Sequence, residues 1–483
     1  MPQLIGRSTV SAMSTEAPTD DDAAVSQLNY GSKVLAVEPG GNEPIPAEAR
    51  HGTPRGLFWT WTAPNLEFAT IFVGVLSVGV FGLSFWQAVV AIVVGNGLAA
   101  AAHYLLSADG PLHGVPQMVL GRLAFGYRGN ILPATFMAVM CGVGWFATNS
   151  ASGAFALSTL FGFTPLVGLI IIVIVQTAFA FFGHNLVQRF ERIAAPILAV
   201  IFLIAAVIIF SKSHLGAPPS SGGGFSMSGF WLTVGAAFGY TAGWTPYAAD
   251  YTRYLPTTVS RVQTGVYASL GLFVSCTVLM FVGAASVTIG AASSDNPTAA
   301  FTANLPTLVA DLTLLAIAVG AVAANAINVY SGAMAFVTMG FKLPMNTQRA
   351  LVTVLFGVVG FLVAWWALAD AAASYEAFLL LVAYWIGPWL GVVFADRLLR
   401  KEKPSLNLLY DTRYVNWGGF AAFVIALVGS VLLFCNQEKF VGYVVRLVPE
   451  LGDIGAFVGF AIAFVGYVIL ARTSVEASQR SHR

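Results

Sequence analysis

Two stretches place polar chemistry inside apolar sequence: Trp61-Thr62-Ala63-Pro64-Asn65-Leu66-Glu67 and Trp244-Thr245-Pro246-Tyr247-Ala248-Ala249-Asp250. Each carries Trp, Thr and Pro in that order, and each sets an acid six residues beyond its Trp. Proline withdraws a backbone donor and clashes with the carbonyl four residues back. It also pushes the residue before it out of the helical region. A helix broken in this way inside a membrane exposes backbone carbonyls and half-helix ends, which bind polar solutes and cations. The plainer alternative is that both prolines only kink packed helices; their matched placement favours a site.

The acids differ. Apart from Glu67, the stretch between Arg55 and Asp109 holds no Asp, Glu, Lys or Arg. A carboxylate there costs a few kcal/mol or more unless it is paired, hydrated or protonated. Glu67 is thus a candidate proton carrier, or else a glutamate that faces a vestibule and titrates ordinarily. Asp250 and Arg253 stand three apart on one helical face, which suits a local ion pair fixing the helix end, with a gating or coupling role as the alternative.

Aromatic and amide residues supply a second chemistry. Trp145 and Asn149 are spaced i,i+4 and share a face. An indole beside an amide can stack on a flat heterocycle while the amide pairs with its ring edge; a helix-to-helix hydrogen bond from Asn149 is the competing use. Asn325 and Asn328 place two amides in one later apolar run, and either packing or a ligand would satisfy them. Gly239 and Gly243 form a GxxxG, which most often only permits close packing.

The elements that position these residues are membrane helices. The chain of 483 residues is 57% hydrophobic and 9% charged, with mean hydropathy +0.78, against about 25% charged in soluble domains. About a dozen runs reach the roughly 20 residues that a span requires, near 57–81, 85–107, 130–160, 165–183, 193–211, 228–252, 263–290, 306–335, 350–368, 373–395, 415–436 and 454–471. With the N-terminus inside, only Lys212, Lys439 and Arg446 fall on outer segments and every other Lys and Arg falls inside. That bias predicts cytoplasmic termini and an even helix count. The broken runs are the first and the sixth, an offset of five, which is odd, so the second copy is inverted relative to the first.

The expected organisation is a disordered cytoplasmic tail over 1–54, a transporter domain over 55–471, and a short cytoplasmic tail over 472–483. Within the domain, one repeat covers about 55–211 and a second about 225–395, with two extra helices over about 415–471. Segment 109–128 reads as a re-entrant or interfacial cytoplasmic helix, 213–227 as a flexible outer connection, and Asn296-Pro297 as the start of a short outer helix capping the pathway. The net charge of +1 offers no surface for nucleic acid. No phosphate-cradling GxxxxGK loop is present, and Cys141, Cys276 and Cys435 lie singly in apolar runs, without metal spacing. A membrane-embedded enzyme would need clustered His, Asp or Glu, and the second run offers only His103. A channel would show a pore loop or rings of charge. No metal or cofactor is expected, and no feature specifies an oligomeric state.

The run from Trp244 to Pro256, with Ala249-Asp250-Tyr251-Thr252-Arg253-Tyr254-Leu255-Pro256 at its core, resembles the signature of the nucleobase:cation symporter-1 family. Val115-Pro116-Gln117-Met118 with Arg122, Phe125 and Gly126, and Asn328-Val329-Tyr330-Ser331, support the purine-cytosine permease branch. The resemblance spans about residues 55–470. It implies an all-α fold of twelve transmembrane helices, the first ten as two inverted five-helix repeats with helices 1 and 6 broken. It also implies symport of nucleobases or related heterocycles by alternating access.

By the same resemblance, Trp145 matches the aromatic platform of the third helix, Asn149 the amide one turn on, Trp244 the aromatic of the sixth helix and Asn328 the amide of the eighth. Ile327 stands where purine-cytosine members often have Pro, which keeps Asn325 as a rival to Asn328. Asn65 and Thr62 are candidates on the first helix. Sodium-coupled relatives take two hydroxyl ligands from the eighth helix ahead of the substrate amide, whereas Leu314 to Ile327 contains no Ser or Thr. The coupling ion is therefore expected to be H+ rather than Na+, with Glu67 as leading carrier and Asp250 behind it. The reading is a plasma-membrane importer of cytosine or a purine, the ring sandwiched by Trp145 and Trp244 and its edge read by Asn149 and Asn328. The alternative substrate is another heterocycle: allantoin, a hydantoin, uracil, thiamine or pyridoxine, with sodium as the alternative ion.

Overall fold

Apolar runs become helices because a backbone in lipid must satisfy its own hydrogen bonds. The computed structural model describes residues 42–182, 184–219, 222, 224–290, 295–340, 345–400, 406–473 and 475–476. The principal helices are α1 (Gly56–Thr62), α2 (Phe68–Gly79), α3 (Phe85–Ser107), α4 (Ile131–Val139), α5 (Phe146–Phe161), α6 (Pro165–Phe182), α7 (His184–Lys212), α8 (Met227–Ala242) and α9 (Ala248–Thr252). They continue as α10 (Arg261–Val287), α11 (Thr307–Thr338), α12 (Met345–Ala367), α13 (Ala371–Leu399), α14 (Trp417–Phe434) and α15 (Gly455–Leu470). Among the described residues seven helices are long and apolar enough to cross a membrane, and the bent pair around residues 63–67 raises this to eight. Ile193, Leu203, Val358 and Ile425 stand exposed on α7, α12 and α14. Such contiguous apolar surface is the lipid face of an integral, multi-pass membrane protein.

The first broken run is a true break. After α1, Ala63–Asn65 form a 3-10 turn, Leu66 leaves the helical region at φ −76°, ψ 63°, and Glu67 is extended at φ −146°, ψ 166°. The two halves meet at 63°. The second run tightens without straightening: Thr245–Tyr247 form a 3-10 turn between α8 and α9, and the flanking Trp244 stays helical at φ −83°, ψ −9°. A third irregularity lies between α4 and α5, where Met140–Trp145 form a π-helical turn just ahead of Asn149; such turns re-aim the side chains that follow them.

A few helix pairs dominate the packing. α10 lies against α1, α2 and α3, and α3 against α8, while α11 packs on α5, α6 and α7. α13 contacts α8 and joins α15, which in turn packs on α14. The break is wedged onto α11 at Gly320, where any side chain would meet the Leu66 carbonyl at 2.8 Å.

Segment 109–128 is three short helices, Gly110–His113, Gln117–Leu120 and Arg122–Gly129, the last turned at Gly126 by φ 72°. A short helix opens at Asn296-Pro297 as expected, spanning Pro297–Thr302: Asn296 Oδ1 accepts from Ala299 N at 3.0 Å, and Phe301 packs edge-on to Phe68 at 5.8 Å. Parts of the 213–227 connection lie outside the described residues.

The tails need correction. Residues 1–41 lie outside the described residues, but 42–54 is packed against segment 109–128. Ile45 and Ala49 are buried, Ile45 N donates to Gly114 O at 3.0 Å, and Arg50 donates to Ile45 O and Pro111 O at 2.9 and 2.7 Å. Its apolar Ile and Ala positions gave it something to bury, which the polar average of the first fifty residues concealed. At the other end Val475 is buried, so the last tail begins beyond residue 472.

Candidate functional site

Five buried polar side chains from α5, α6, α11 and the second break form one hydrogen-bonded cluster. Asn149 Nδ2 donates to Asn325 Oδ1 at 3.0 Å, and Asn328 Nδ2 donates to the same oxygen at 3.3 Å. Asn325 Nδ2 donates to the Phe146 carbonyl at 3.0 Å and to Gln176 Oε1 at 2.8 Å. Both N–H groups of Asn325 are thus spent and its oxygen accepts twice, the full capacity of an amide. Asn328 Oδ1 accepts from Tyr247 Oη at 2.8 Å. Asn149 is different: it is 1% exposed, and its Oδ1 has no partner. A buried acceptor without a donor costs about 1–3 kcal/mol, so its retention here points to a ligand.

Aromatic rings wall this cluster. Trp145 meets Tyr240 and Phe378 edge-on at 5.2 and 4.9 Å. Trp244 lies 5.0 Å from Tyr247 and 6.0 Å from Trp61. Trp145 stands beside Gly243, the residue before Trp244, so both expected platforms lie at the start of the second break. Trp244 has a further duty, because its Nε1 donates to Asn65 Oδ1 at 2.9 Å.

Asn65 is accordingly a clasp between the two breaks, its Nδ2 donating to Trp61 O at 2.7 Å and Ser275 Oγ at 3.1 Å. Thr62 lies apart from the amides: its Oγ1 donates to Phe58 O at 2.7 Å and Gly271 O at 3.3 Å, tying α1 to α10. Its type suited a ligand, but a threonine back-bonded one turn up its own helix has spent its proton.

Glu67 stands just past the first break, 3% exposed, with Oε1 accepting from Tyr240 Oη at 3.0 Å. Tyr240 Oη also meets Thr70 Oγ1 at 2.5 Å, and Thr70 donates to Asn65 O at 2.7 Å. The acid is thereby wired to the break. Asp250 and Arg253 reach other elements. Asp250 Oδ1 accepts from Gln117 N at 2.9 Å, at the start of the Gln117–Leu120 helix, where the exposed N–H groups favour an anion. Arg253 donates to Tyr254 Oη at 3.1 Å and lies 5.1 Å from that ring. Asp250 thus ties α9 to the Gln117–Leu120 helix, and Arg253 also donates to Tyr330 Oη on α11 at 3.5 Å.

Sequence reasoning missed Gln176, Tyr240 and Tyr247. Gln176 was detectable as the lone amide of the fourth apolar run, and Tyr247 lies inside the break motif itself. Among the described residues no group of His, Cys, Asp and Glu could hold a metal ion.

Broken helices enclosing a partly unsatisfied amide cluster in a multi-pass bundle define a membrane transport protein. Residues 44–459 match the family described as permease for cytosine/purines, uracil, thiamine, allantoin, and the chain belongs to that family. It is a permease and not an enzyme. It is 28% identical over 451 residues to the putative purine-cytosine permease YxlA of Bacillus subtilis, covering 89% of this chain and 95% of that one. It is also 28% identical over 481 residues to the purine-cytosine permease fcyB of Emericella nidulans, covering 95% and 93%. The fold is that of Mhp1, a nucleobase-cation-symport-1 family transporter solved in a closed conformation with bromovinylhydantoin bound, at TM-score 0.70, 21% identity, and 93% and 97% coverage.

Proposed function

We propose that this protein is a secondary active symporter that imports cytosine or a purine, coupled to protons, by alternating access. The observation that carries this reading is the unpartnered Asn149 Oδ1 beside Trp145, in a cluster whose other members are hydrogen-bonded. A flat ring stacked between Trp145 and Trp244 would offer a donor to Asn149 Oδ1 and acceptors to the spare N–H groups of Asn149 and Asn328. Asn325 has no capacity left for a ligand, which favours Asn328 as the second reader. Purine-cytosine permeases among the relatives support the substrate class.

The coupling reading rests on two features. No hydroxyl side chain lies between Leu314 and Ile327 on α11, and Gly320 is the residue that faces the Leu66 carbonyl there. Sodium prefers several hard oxygen ligands, and a glycine gives none from its side chain. Glu67, buried and bonded to Tyr240, is the leading proton carrier and Asp250 the second. The reading includes twelve spans in two inverted repeats plus two helices, both termini in the cytoplasm, and residence in the plasma membrane.

The test is uptake of a labelled panel of nucleobases, allantoin and hydantoin by proteoliposomes, with proton and sodium gradients imposed separately. Accumulation of cytosine or a purine under a proton gradient alone is expected. Uptake that demands sodium and persists with the proton gradient collapsed would sink the coupling assignment, and uptake confined to allantoin or hydantoin would sink the substrate.

A further inference from the structure

Gln176 lies on α6, away from the broken helices, yet it is fully buried and forms two side-chain hydrogen bonds that govern the amide cluster. Hydrogen-bond direction can be traced here from a fixed starting point. The Phe146 carbonyl can only accept, so the Asn325 atom facing it must be Nδ2. The second N–H of Asn325 goes to Gln176 Oε1 at 2.8 Å. Gln176 must then present Nε2 to Ser150 Oγ, which can accept because its own proton goes to the Phe146 carbonyl at 2.5 Å. The Asn325 oxygen is left pointing at Asn149, which must answer with Nδ2. The remaining atoms of the Asn149 amide, Oδ1 and one N–H, then face the site in one fixed order.

We infer that Gln176 is a specificity-determining positioning residue: by holding the Asn325 amide in plane it fixes which side of the Asn149 amide is acceptor and which is donor. A ring held between aromatic walls then meets an acceptor at one edge position and a donor at the next. Bases that differ by exchange of an amino for an oxo group swap those two demands. A 4-aminopyrimidine offers a donor at its exocyclic group and an acceptor at the adjacent ring nitrogen, and a 4-oxopyrimidine the reverse. The 6-amino and 6-oxo purines are related in the same way. Amide orientation is therefore the amino-against-oxo filter.

Loss of Gln176 strands one buried N–H of Asn325. The Phe146 carbonyl is then the one remaining acceptor that holds Asn325 Nδ2, so the Asn325 amide can tilt about that bond, and the Asn149 amide that answers its oxygen loses its fixed order. A mismatch at one desolvated hydrogen bond corresponds to about tenfold or more in affinity.

This inference rests on the proposed heterocycle site. The test measures binding to the purified protein, by quenching of tryptophan fluorescence, for the pairs cytosine and uracil, and adenine and hypoxanthine, together with KM and Vmax in proteoliposomes. The wild type should separate the members of at least one pair by about tenfold or more. Gln176→Met, of similar volume and without hydrogen bonds, should bring that ratio close to one through KM, with Vmax largely kept. Gln176→Glu, whose protonated carboxyl supplies one acceptor and one donor, should restore discrimination. Should Gln176→Met not reach the membrane, Ser150→Ala, which removes the acceptor for Gln176 Nε2, should lower the ratio in the same direction by less. A wild-type ratio in Gln176→Met, or in Ser150→Ala where that variant stands in, overturns the inference while leaving the site intact. A wild type that binds a pair without discriminating does the same. Failure of every base to bind the wild type overturns the substrate reading and this inference with it.

Discussion

Trp244 Nε1 donates to Asn65 Oδ1 at 2.9 Å, so the two broken runs, 179 residues apart in sequence, are joined by one buried hydrogen bond. Asn65 lies in the turn around Pro64 and Trp244 immediately precedes the turn around Pro246, and both are at most 5% exposed. Any motion that separates α1 from α9 must break this bond or carry both ends together. Trp244→Phe keeps an aromatic wall but leaves Asn65 Oδ1 without its donor, at a cost of about 1–3 kcal/mol. The expected outcome is a five- to hundredfold loss, roughly, in uptake efficiency, with Asn65→Ala producing a loss of similar size. A double variant should lose no more than either single one, since both remove the same bond. Additive losses in that cycle would show that the two residues act separately.

The amide cluster separates a reader from a support. Asn149→Ala removes the unpartnered acceptor and should raise KM about tenfold or more with normal membrane levels. Asn325→Ala leaves the Gln176 oxygen and the Asn149 and Asn328 N–H groups without their partner, so thermal stability in detergent should fall together with transport. Paired measurements of KM and melting temperature check this. An Asn149→Ala protein with an unchanged KM would remove Asn149 from the site.

How much of this was legible depended on whether a signal was local. The breaks were, because proline acts on its own turn: Pro64 and Pro246 both sit in 3-10 turns. What proline chemistry could not show is their inequality, since only Leu66 and Glu67 leave helical geometry, and that follows from what packs beside them. Trp145, Asn149 and Asn328 were legible from type and spacing and come together with Tyr247 and Asn325. Thr62 was misleading because a threonine hydroxyl serves a backbone carbonyl as readily as a ligand. Gln176 was passed over because its meaning lies in contacts with α5 and α11, which no pattern within its own run displays. Composition averaged over the first fifty residues hid the packed segment 42–54, whose anchors are two apolar side chains and one arginine.

Outside the spans, Asp453 gives a prediction for pH. Its carboxylate is 2% exposed and accepts from Asn436 N at 2.6 Å, from Gly455 N at 3.1 Å and from Tyr384 Oη. Burial outweighs these bonds and pushes its pKa up to about 6 from an ordinary value of 3.8. The folded state therefore holds a proton that the unfolded chain has released, and stability falls as pH rises from about 4 to about 6, levelling off above. The full swing is roughly 3 kcal/mol, at about 1.4 kcal/mol for each unit of pKa. Melting temperature in detergent measured across pH 4 to 7, roughly, should show this fall in the wild type and a reduced slope in Asp453→Asn. An identical slope in the variant would assign the dependence to another group.

Glu67 carries the sharpest prediction about coupling. Glu67→Gln preserves an oxygen for Tyr240 Oη, so the local geometry around the first break is retained while the titratable group is lost. A carrier without its proton site still exposes the substrate site to each side in turn. It should therefore exchange labelled for unlabelled base across a proteoliposome membrane at a rate near wild type. It should no longer concentrate base when a proton gradient is imposed, so the internal concentration settles at the external one. Asp250→Asn serves as the comparison: its carboxylate is bonded to Gln117 N, and loss of that bond should slow exchange itself. Proton-driven accumulation that survives in Glu67→Gln would remove Glu67 as the carrier and pass the role to Asp250.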